Sequence, residues 1–192
     1  MLKGDRIYLD TLDCDENTSA IRLIRNDPRI RNWCRQHTLI TEDNHAKWLH
    51  KIDNDSSIKM FTVKLWTELP SKEGMFTPDF GSGDLVGVVG LTDINLIHSR
   101  AEFSCYIFPE YQRRGYALDA LQTLFRHGFD DWNLHSIWGE TFDGNPALSL
   151  FTDKLGMIYE GTRRHFYFKN GKYLDAHIIS ITEDEFRERC NS

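Results

Sequence analysis

The chain predicts an α/β (or α+β) domain built on a central mixed sheet. Three observations carry this. Strand-like and helix-like runs alternate along its 192 residues. The apolar run from Phe103 to Phe108 closes at Pro109 and passes through a short polar turn into a helical stripe of Ala117, Leu118, Leu121, Leu124 and Phe125. Toward the C-terminal end, two β-rich runs flank Asn170-Gly171, the strongest short hairpin signal. At this length one domain, 1–192, is expected, large enough to bury a core.

Taken in order, Arg6 to Leu9 alternates and reads as a first strand. Asp13 to Asp15 offers an N-cap for a short helix whose apolar stripe is Ile21, Leu23 and Ile24, stopped near Asp27-Pro28. Arg29 to Trp33 reads as a second short helix. Thr41 is a capping hydroxyl followed by the first-turn acids Glu42 and Asp43. His45, Trp48, Leu49 and Ile52 then repeat at helical spacing, a core stripe in which His45 is structural. Ile58 to Trp66 and Leu85 to Leu91 read as strands. The stretch 67–84 between them holds Pro70, Gly74, Pro78, Gly81 and Gly83. It is too long for a hairpin turn and too rich in breakers for a helix, so it reads as an insertion. Ala101 to Phe108 is a strand, the next helix runs to about Asp130, and Ser136 to Phe142 is a strand. Asn145-Pro146 opens a helix ending at Gly156. Arg163 to Lys169 and Tyr173 to Ile181 form the hairpin, and Glu183 to Arg189 a terminal helix.

Hydrophobic content of 40% and charged content of 27% are ordinary for a soluble globular protein. A formal net charge of −6 argues against a nucleic-acid partner, which calls for a basic stripe. It is compatible with a cationic acceptor such as an amine. The four cysteines (Cys14, Cys34, Cys105, Cys190) are scattered, with no C-x-x-C pair, and read as free thiols of a reducing, cytoplasmic compartment. No run has the roughly 20 apolar residues of a membrane span, and none suits a signal peptide. The eight histidines show no metal-ligand spacing, so no metal is expected.

The stretch that organises the chain is Glu110-Tyr111-Gln112-Arg113-Arg114-Gly115-Tyr116-Ala117. The first turn of a helix leaves its N–H groups unpaired, and its dipole favours negative charge. Gly115 lets the backbone approach an anion closely, and Ala117 keeps the next approach small. Arg113 and Arg114 add charge. The same residues also fit a plain strand–turn–helix junction with a left-handed glycine. Neither G-x-x-x-x-G-K-S/T nor G-x-G-x-x-G is present. Gln112, Arg113, Arg114, Gly115, Tyr116 and Ala117 resemble instead the Gln/Arg-x-x-Gly-x-Gly/Ala pyrophosphate loop of the GNAT acetyltransferases. The flanking AEFSCYIFPEYQRRGYALDAL is similar to the core of a branch holding RimJ/RimL-like ribosomal-protein acetyltransferases and bacterial spermidine acetyltransferases. The likeness runs on through Asn145–Gly156 and Gly171–Ile181. Scattered N-terminal positions (Arg25-Asn26, Trp33, Gln36, Thr41, His45, Trp48-Leu49) resemble enzymes of that branch that acetylate nucleotide-linked amino sugars.

The resemblance implies a largely antiparallel sheet flanked by helices, acetyl-CoA as co-substrate, and a small-molecule amine or protein N-terminus as acceptor, with a homodimer left open. It implies backbone contacts to the pantetheine arm from Tyr106, Ile107 and Phe108, phosphate contacts from Gln112 to Ala117, and a pantetheine contact from Asn145. Asn145 reads equally as a turn residue. Acetyl transfer needs a base for the acceptor amine, an electrophile for the developing oxyanion, and a proton for the departing thiolate. Glu102, in the AEF segment, is implied as the base, with two plain alternatives: an exposed strand-edge carboxylate, or one that binds the acceptor amine electrostatically without moving a proton. The family's proton donor is missing: Thr152 stands where many members carry tyrosine, and Leu148 where others carry serine, with Ser149 next along. Ser149 and Thr152 are therefore the nominated donors. Asp93, His98 and Cys105 lie near strand ends within reach of an acceptor. A non-catalytic acyl-CoA-binding module is the alternative that the missing donor keeps open, and a structural domain binding no coenzyme A is a third.

Overall fold

A computed structural model describes residues 1–12, 18–70, 76–79 and 83–190, with backbone pairing alone for 67–70 and 76–79. The sequence-predicted cap at Asp13–Asp15, and Cys14 with it, lie outside the described residues. Eight strands make one sheet: β1 (Leu2–Lys3), β2 (Ile7–Thr11), β3 (Lys59–Leu65), β6 (Leu85–Asn95), β7 (Arg100–Ile107), β8 (Ser136–Phe142), β9 (Ile158–Lys169) and β10 (Lys172–Thr182). They lie in the order β1-β2-β3-β6-β7-β8-β10-β9. Every neighbouring pair is antiparallel except β7 and β8. The β7–β8 connection runs through helix α4 (Tyr116–Asp130), the crossover that a parallel pair requires. The expected mixed, largely antiparallel sheet is the one observed. Within the 67–84 stretch, β4 (Thr67–Pro70) and β5 (Phe76–Asp79) pair as a separate antiparallel ribbon.

The sheet divides the apolar interior in two. On one face α4 inserts Leu121, Leu124 and Phe125, all fully buried, beside Phe103, Ile137 and Phe186 of the terminal helix α5 (Glu183–Cys190). Each such side chain contributes roughly 1.5–3 kcal/mol on leaving water. On the other face Ile21 of α1 (Thr18–Asn26) and Leu49 and Ile52 of α3 (Glu42–Asn54) pack on Met60 and Val88. Between them lies the single turn α2 (Pro28–Arg31), capped by Asp27, whose side chain accepts from the Arg29 N–H at 2.8 Å. Thr41 caps α3 as its sequence requires, accepting from the Asn44 N–H at 3.2 Å.

Two expectations are corrected. Leu23 is 60% exposed, because it sits about 200° around the helix from the buried Ile21. The helix expected over 145–156 is shorter and wider: after a turn, helical backbone covers 148–154, of which Leu150–Lys154 is π-type, closed by the Leu155 N–H on the Leu150 carbonyl at 3.0 Å ahead of the left-handed Gly156 (φ 79°). Phe151 and Leu155 are buried all the same, since apolar spacing over one turn does not separate the two helix types. The β9–β10 hairpin turns at Asn170 (φ 52°) and Gly171 (φ 79°), the two positive angles of a type I′ turn.

Candidate active site

The parallel pairing of β7 with β8 stops early. It covers Arg100, Ala101 and Glu102 against Ser136, Ile137 and Trp138. Beyond that point β7 stays on β6 and β8 stays on β10, so the sheet opens into a wedge. The Phe108 N–H donates to the Val86 carbonyl at 2.8 Å. Alternation along an antiparallel ladder then turns the backbone groups of Tyr106 and Ser104 toward β6, and those of Cys105 and Ile107 into the wedge. Of the three residues expected to offer backbone contacts, Ile107 faces the wedge, while Tyr106 and Phe108 turn to β6. Cys105 faces the wedge as well, an orientation the period of two would have given had the partner strand been known.

The turn after Pro109 closes the wide end. Arg113 (φ 60°) and Gly115 (φ 86°) are both left-handed, which folds 112–115 back so that α4 starts at Tyr116. Among the described residues no protein group accepts from the N–H groups of Arg113 to Leu118; the first helical bond runs from the Asp119 N–H to the Gly115 carbonyl at 3.2 Å. Six amides therefore gather at a helix N-terminus with nothing to neutralise their partial charge, an anion seat. The Gln112 side chain donates to the Ile107 carbonyl at 2.9 Å and ties the turn to β7. The Asp119 carboxylate takes the Asp5 and Arg6 N–H groups at 2.9 and 2.7 Å. Arg6 in turn bonds the Arg114 carbonyl and lies 4.7 Å over the Tyr116 ring. Gly115 has no room to spare there: a Cβ would meet Arg6 Nη2 at 3.1 Å.

A cavity of about 810 Å³ runs from this turn along the wedge to a second end formed by 25–48, Glu102 and Glu140. Glu102 is not an exposed edge carboxylate. It is 7% exposed and pairs with Arg35 at 2.8 Å. Burial pushes its carboxyl above the ordinary value, and the Arg35 guanidinium pulls it only part of the way back. Glu140 accepts from the Tyr167 hydroxyl at 2.5 Å and faces Arg163 at 3.4 Å. Burial, with Glu140 beside it, pushes the Tyr167 phenol up to about 12. Lys169 is 3% exposed, and its Nζ donates to the carbonyls of Asn32 (2.6 Å), Cys34 (2.7 Å) and Arg31 (3.3 Å). It thereby pins the Arg35 loop to the β9–β10 hairpin. Sequence reasoning did not nominate Arg35, Glu140, Tyr167 or Lys169 for the site; they converge only through contacts between segments far apart in the chain, Arg35 on Glu102, Tyr167 on Glu140 and Lys169 on the Asn32 and Cys34 carbonyls.

The nominated donors are not on the cavity wall. The Ser149 hydroxyl turns to the Pro146 carbonyl at 3.3 Å, and that of Thr152 to the Leu148 carbonyl at 3.1 Å, as hydroxyls in a helical turn commonly do. Asn145 does line the cavity, yet its Oδ1 takes the Ala147 N–H (3.0 Å) and its Nδ2 donates to Thr141 Oγ1 (2.6 Å). His98 is exposed in the β6–β7 turn, as is Asp93 nearby. Cys105 lines the cavity, and burial pushes its thiol up to about 12, so it is no thiolate nucleophile at neutral pH. The Tyr106 hydroxyl is buried with no hydrogen-bond partner among the described residues, and burial raises its phenol as well. Among those residues no cluster of His, Cys, Asp or Glu is placed to hold a metal ion, and no helix is long and apolar enough to cross a membrane.

Comparison with known proteins fits this geometry. The acetyltransferase (GNAT) domain family matches residues 6–158. The spermidine N(1)-acetyltransferase of Escherichia coli K12 is 28% identical over 161 residues, covering 76% of this chain and 84% of that protein. Its Vibrio cholerae counterpart is 26% identical over 165 residues, covering 77% and 93%. The crystal structure of a Vibrio cholerae spermidine N-acetyltransferase in complex with CoA and spermine superposes with a TM-score of 0.81 at 24% identity, over 95% of this chain and 98% of that one.

Proposed function

The chain belongs to the GNAT acetyltransferase family, and on that premise we propose that it moves the acetyl group of acetyl-CoA onto a small-molecule primary amine, both substrates being held at once. The observation that carries this is the joining of two features in one cavity: at one end the unpaired amides of the turn, those of Arg113 and of Gly115 to Leu118 on its lining, and at the other a buried carboxylate. The amides of Arg113 to Leu118 hold the diphosphate, with Arg113 beside them. The backbone groups of Cys105 and the Ile107 N–H pair with the pantetheine amides as a missing strand would, the Ile107 carbonyl being held by Gln112. This lays the thioester in the wedge, near the point where β7 leaves β8.

Glu102 then acts as the base. It takes a proton from the acceptor ammonium, directly or through a water, and the neutral nitrogen attacks the thioester carbonyl. The new C–N bond forms, the C–S bond breaks, and the proton that the nitrogen sheds on becoming an amide passes through water to the leaving thiolate. A carboxyl held above its ordinary value is better matched to that task than an exposed one. Ser149 and Thr152 have no part, because their hydroxyls are spent on their own turn. Asn145 positions the wall by fixing the turn after β8. The relatives named for spermidine make a polyamine one candidate acceptor.

Release of free thiol from acetyl-CoA, followed with a panel of primary amines, tests the reading. Turnover dependent on one of them is expected. Saturable coenzyme A binding without thiol release on any amine identifies a binding module instead. Absence of thermal stabilisation by millimolar acetyl-CoA removes the coenzyme altogether, since a ligand of the folded state must raise its stability.

A further inference from the structure

The acceptor end carries its own statement about charge. Among the described residues the cavity wall holds four arginines (Arg25, Arg29, Arg35, Arg113) and two carboxylates, Glu102 and Glu140. Both carboxylates are matched from within the fold, Glu102 by Arg35 at 2.8 Å and Glu140 by Arg163 at 3.4 Å and the Tyr167 hydroxyl at 2.5 Å. Arg29 is matched by Asp27 and Glu110, and Arg113 stands at the phosphate end. Arg25 is different. Its guanidinium lies 5.3 Å over the Tyr106 ring and against Cys34 Sγ, with no carboxylate on it among the described residues. Behind the same loop sits the buried Lys169 ammonium.

A polycation entering here meets, among the described residues of the cavity wall, no carboxylate without a partner and a cation already seated on Glu102; the nearby negative charge is the exposed Asp93, off the wall. Like charges brought together out of water oppose binding. The chain's overall −6 does not rescue it, because charges beyond about 8–10 Å are screened. Arg35 is half-exposed and presents more donors than Glu102 can use. An anion on its free side and on Arg25 would hang the amine of the same molecule beside Glu102.

Resting on the acetyl-transfer reading above, we propose that the acceptor is an anionic amine: a small molecule whose primary amine stands near a phosphate or carboxylate, with Arg25 and Arg35 as the residues that select it. The test compares thiol release from acetyl-CoA with glucosamine, glucosamine 6-phosphate, glucosaminate and spermidine. One of the two anionic amines exceeds glucosamine by roughly tenfold or more in kcat/KM, the scale of one well-placed charge pair, and spermidine falls below both. Which anion gains identifies the group. Arg25→Gln shrinks that ratio at least about fivefold through the KM for the anionic amine, with the KM for acetyl-CoA unmoved; Arg25→Lys restores most of it. Arg35→Glu shifts the ranking toward spermidine. Spermidine as the best acceptor, or equal rates for glucosamine and both anionic forms, overturns the proposal and leaves acetyl transfer standing. Thiol release with none of the amines overturns both.

Discussion

The two ends of the cavity are built from different materials. The turn end is main chain: six consecutive amides from Arg113 to Leu118, shaped by a left-handed Gly115 and the start of α4. The acceptor end is side chain: Arg25 and Arg35 from the α1–α3 segment, Glu102 from β7, Glu140 from β8, Tyr167 and Lys169 from β9. A backbone seat recognises what every acyl-CoA shares, and it tolerates change in most of its side chains. A side-chain seat recognises one acceptor and changes character with a single substitution. Mutations at the two ends should therefore separate cleanly, the turn acting on coenzyme binding and the acceptor end on turnover.

The sharpest way to test that separation is Glu102→Gln. Loss of a general base lowers kcat by about 10²–10⁴-fold, while calorimetry should give an unchanged affinity for acetyl-CoA. The acid limb of kcat/KM in the parent should lie above the ordinary glutamate value of 4.5, because burial raises the carboxyl. That limb should vanish in the variant. An unchanged kcat removes Glu102 as the base and erases the contrast between the ends.

Gly115→Asp works at the opposite end. It forces a side chain into a left-handed angle beside Arg6 and puts a carboxylate where phosphate is to sit. Affinity for coenzyme A should fall by roughly 100-fold or more, about 2.7 kcal/mol, with the circular dichroism of the fold retained. Retained calorimetric affinity would contradict the backbone seat.

A smaller effect, on stability first, is expected for Lys169→Met. Three carbonyls lose a buried donor, a cost of roughly 1–3 kcal/mol, or a fall in Tm of several degrees for a chain of this size. Because those carbonyls anchor the Arg35 loop, the KM for the amine should rise while that for acetyl-CoA holds. Equal changes in both would make Lys169 a support for the whole domain.

The smallest expected effect is on the stability of Glu102→Gln. A carboxyl whose folded value is raised supports the fold when protonated, fully below its unfolded value, and that support is lost as pH rises through the folded value. The neutral variant should thus match the parent in Tm at pH 4 and exceed it at pH 8. A lower Tm at pH 8 would mean that the Arg35 pair outweighs the burial of the charge.

Much of this was legible before any coordinates. Apolar period two and period 3.6 placed most of the strands and helices, since the sheet and helix faces that meet the core must repeat at those spacings. The capping role of Thr41, the turn at Asn170-Gly171 and the left-handed glycine turn into α4 were readable because each is closed within a few residues of chain. Strand order, the early parting of β7 from β8, and hence which backbone groups face the wedge were not readable. They depend on partners that period alone cannot assign, which is why the sequence did not show that Tyr106 and Phe108 turn to β6 and Cys105 to the wedge. The acceptor end was the least legible part. An arginine reads the same in sequence whether it meets solvent or a buried carboxylate, and only the folding of four distant segments onto one point set Arg35 on Glu102 and Lys169 behind it.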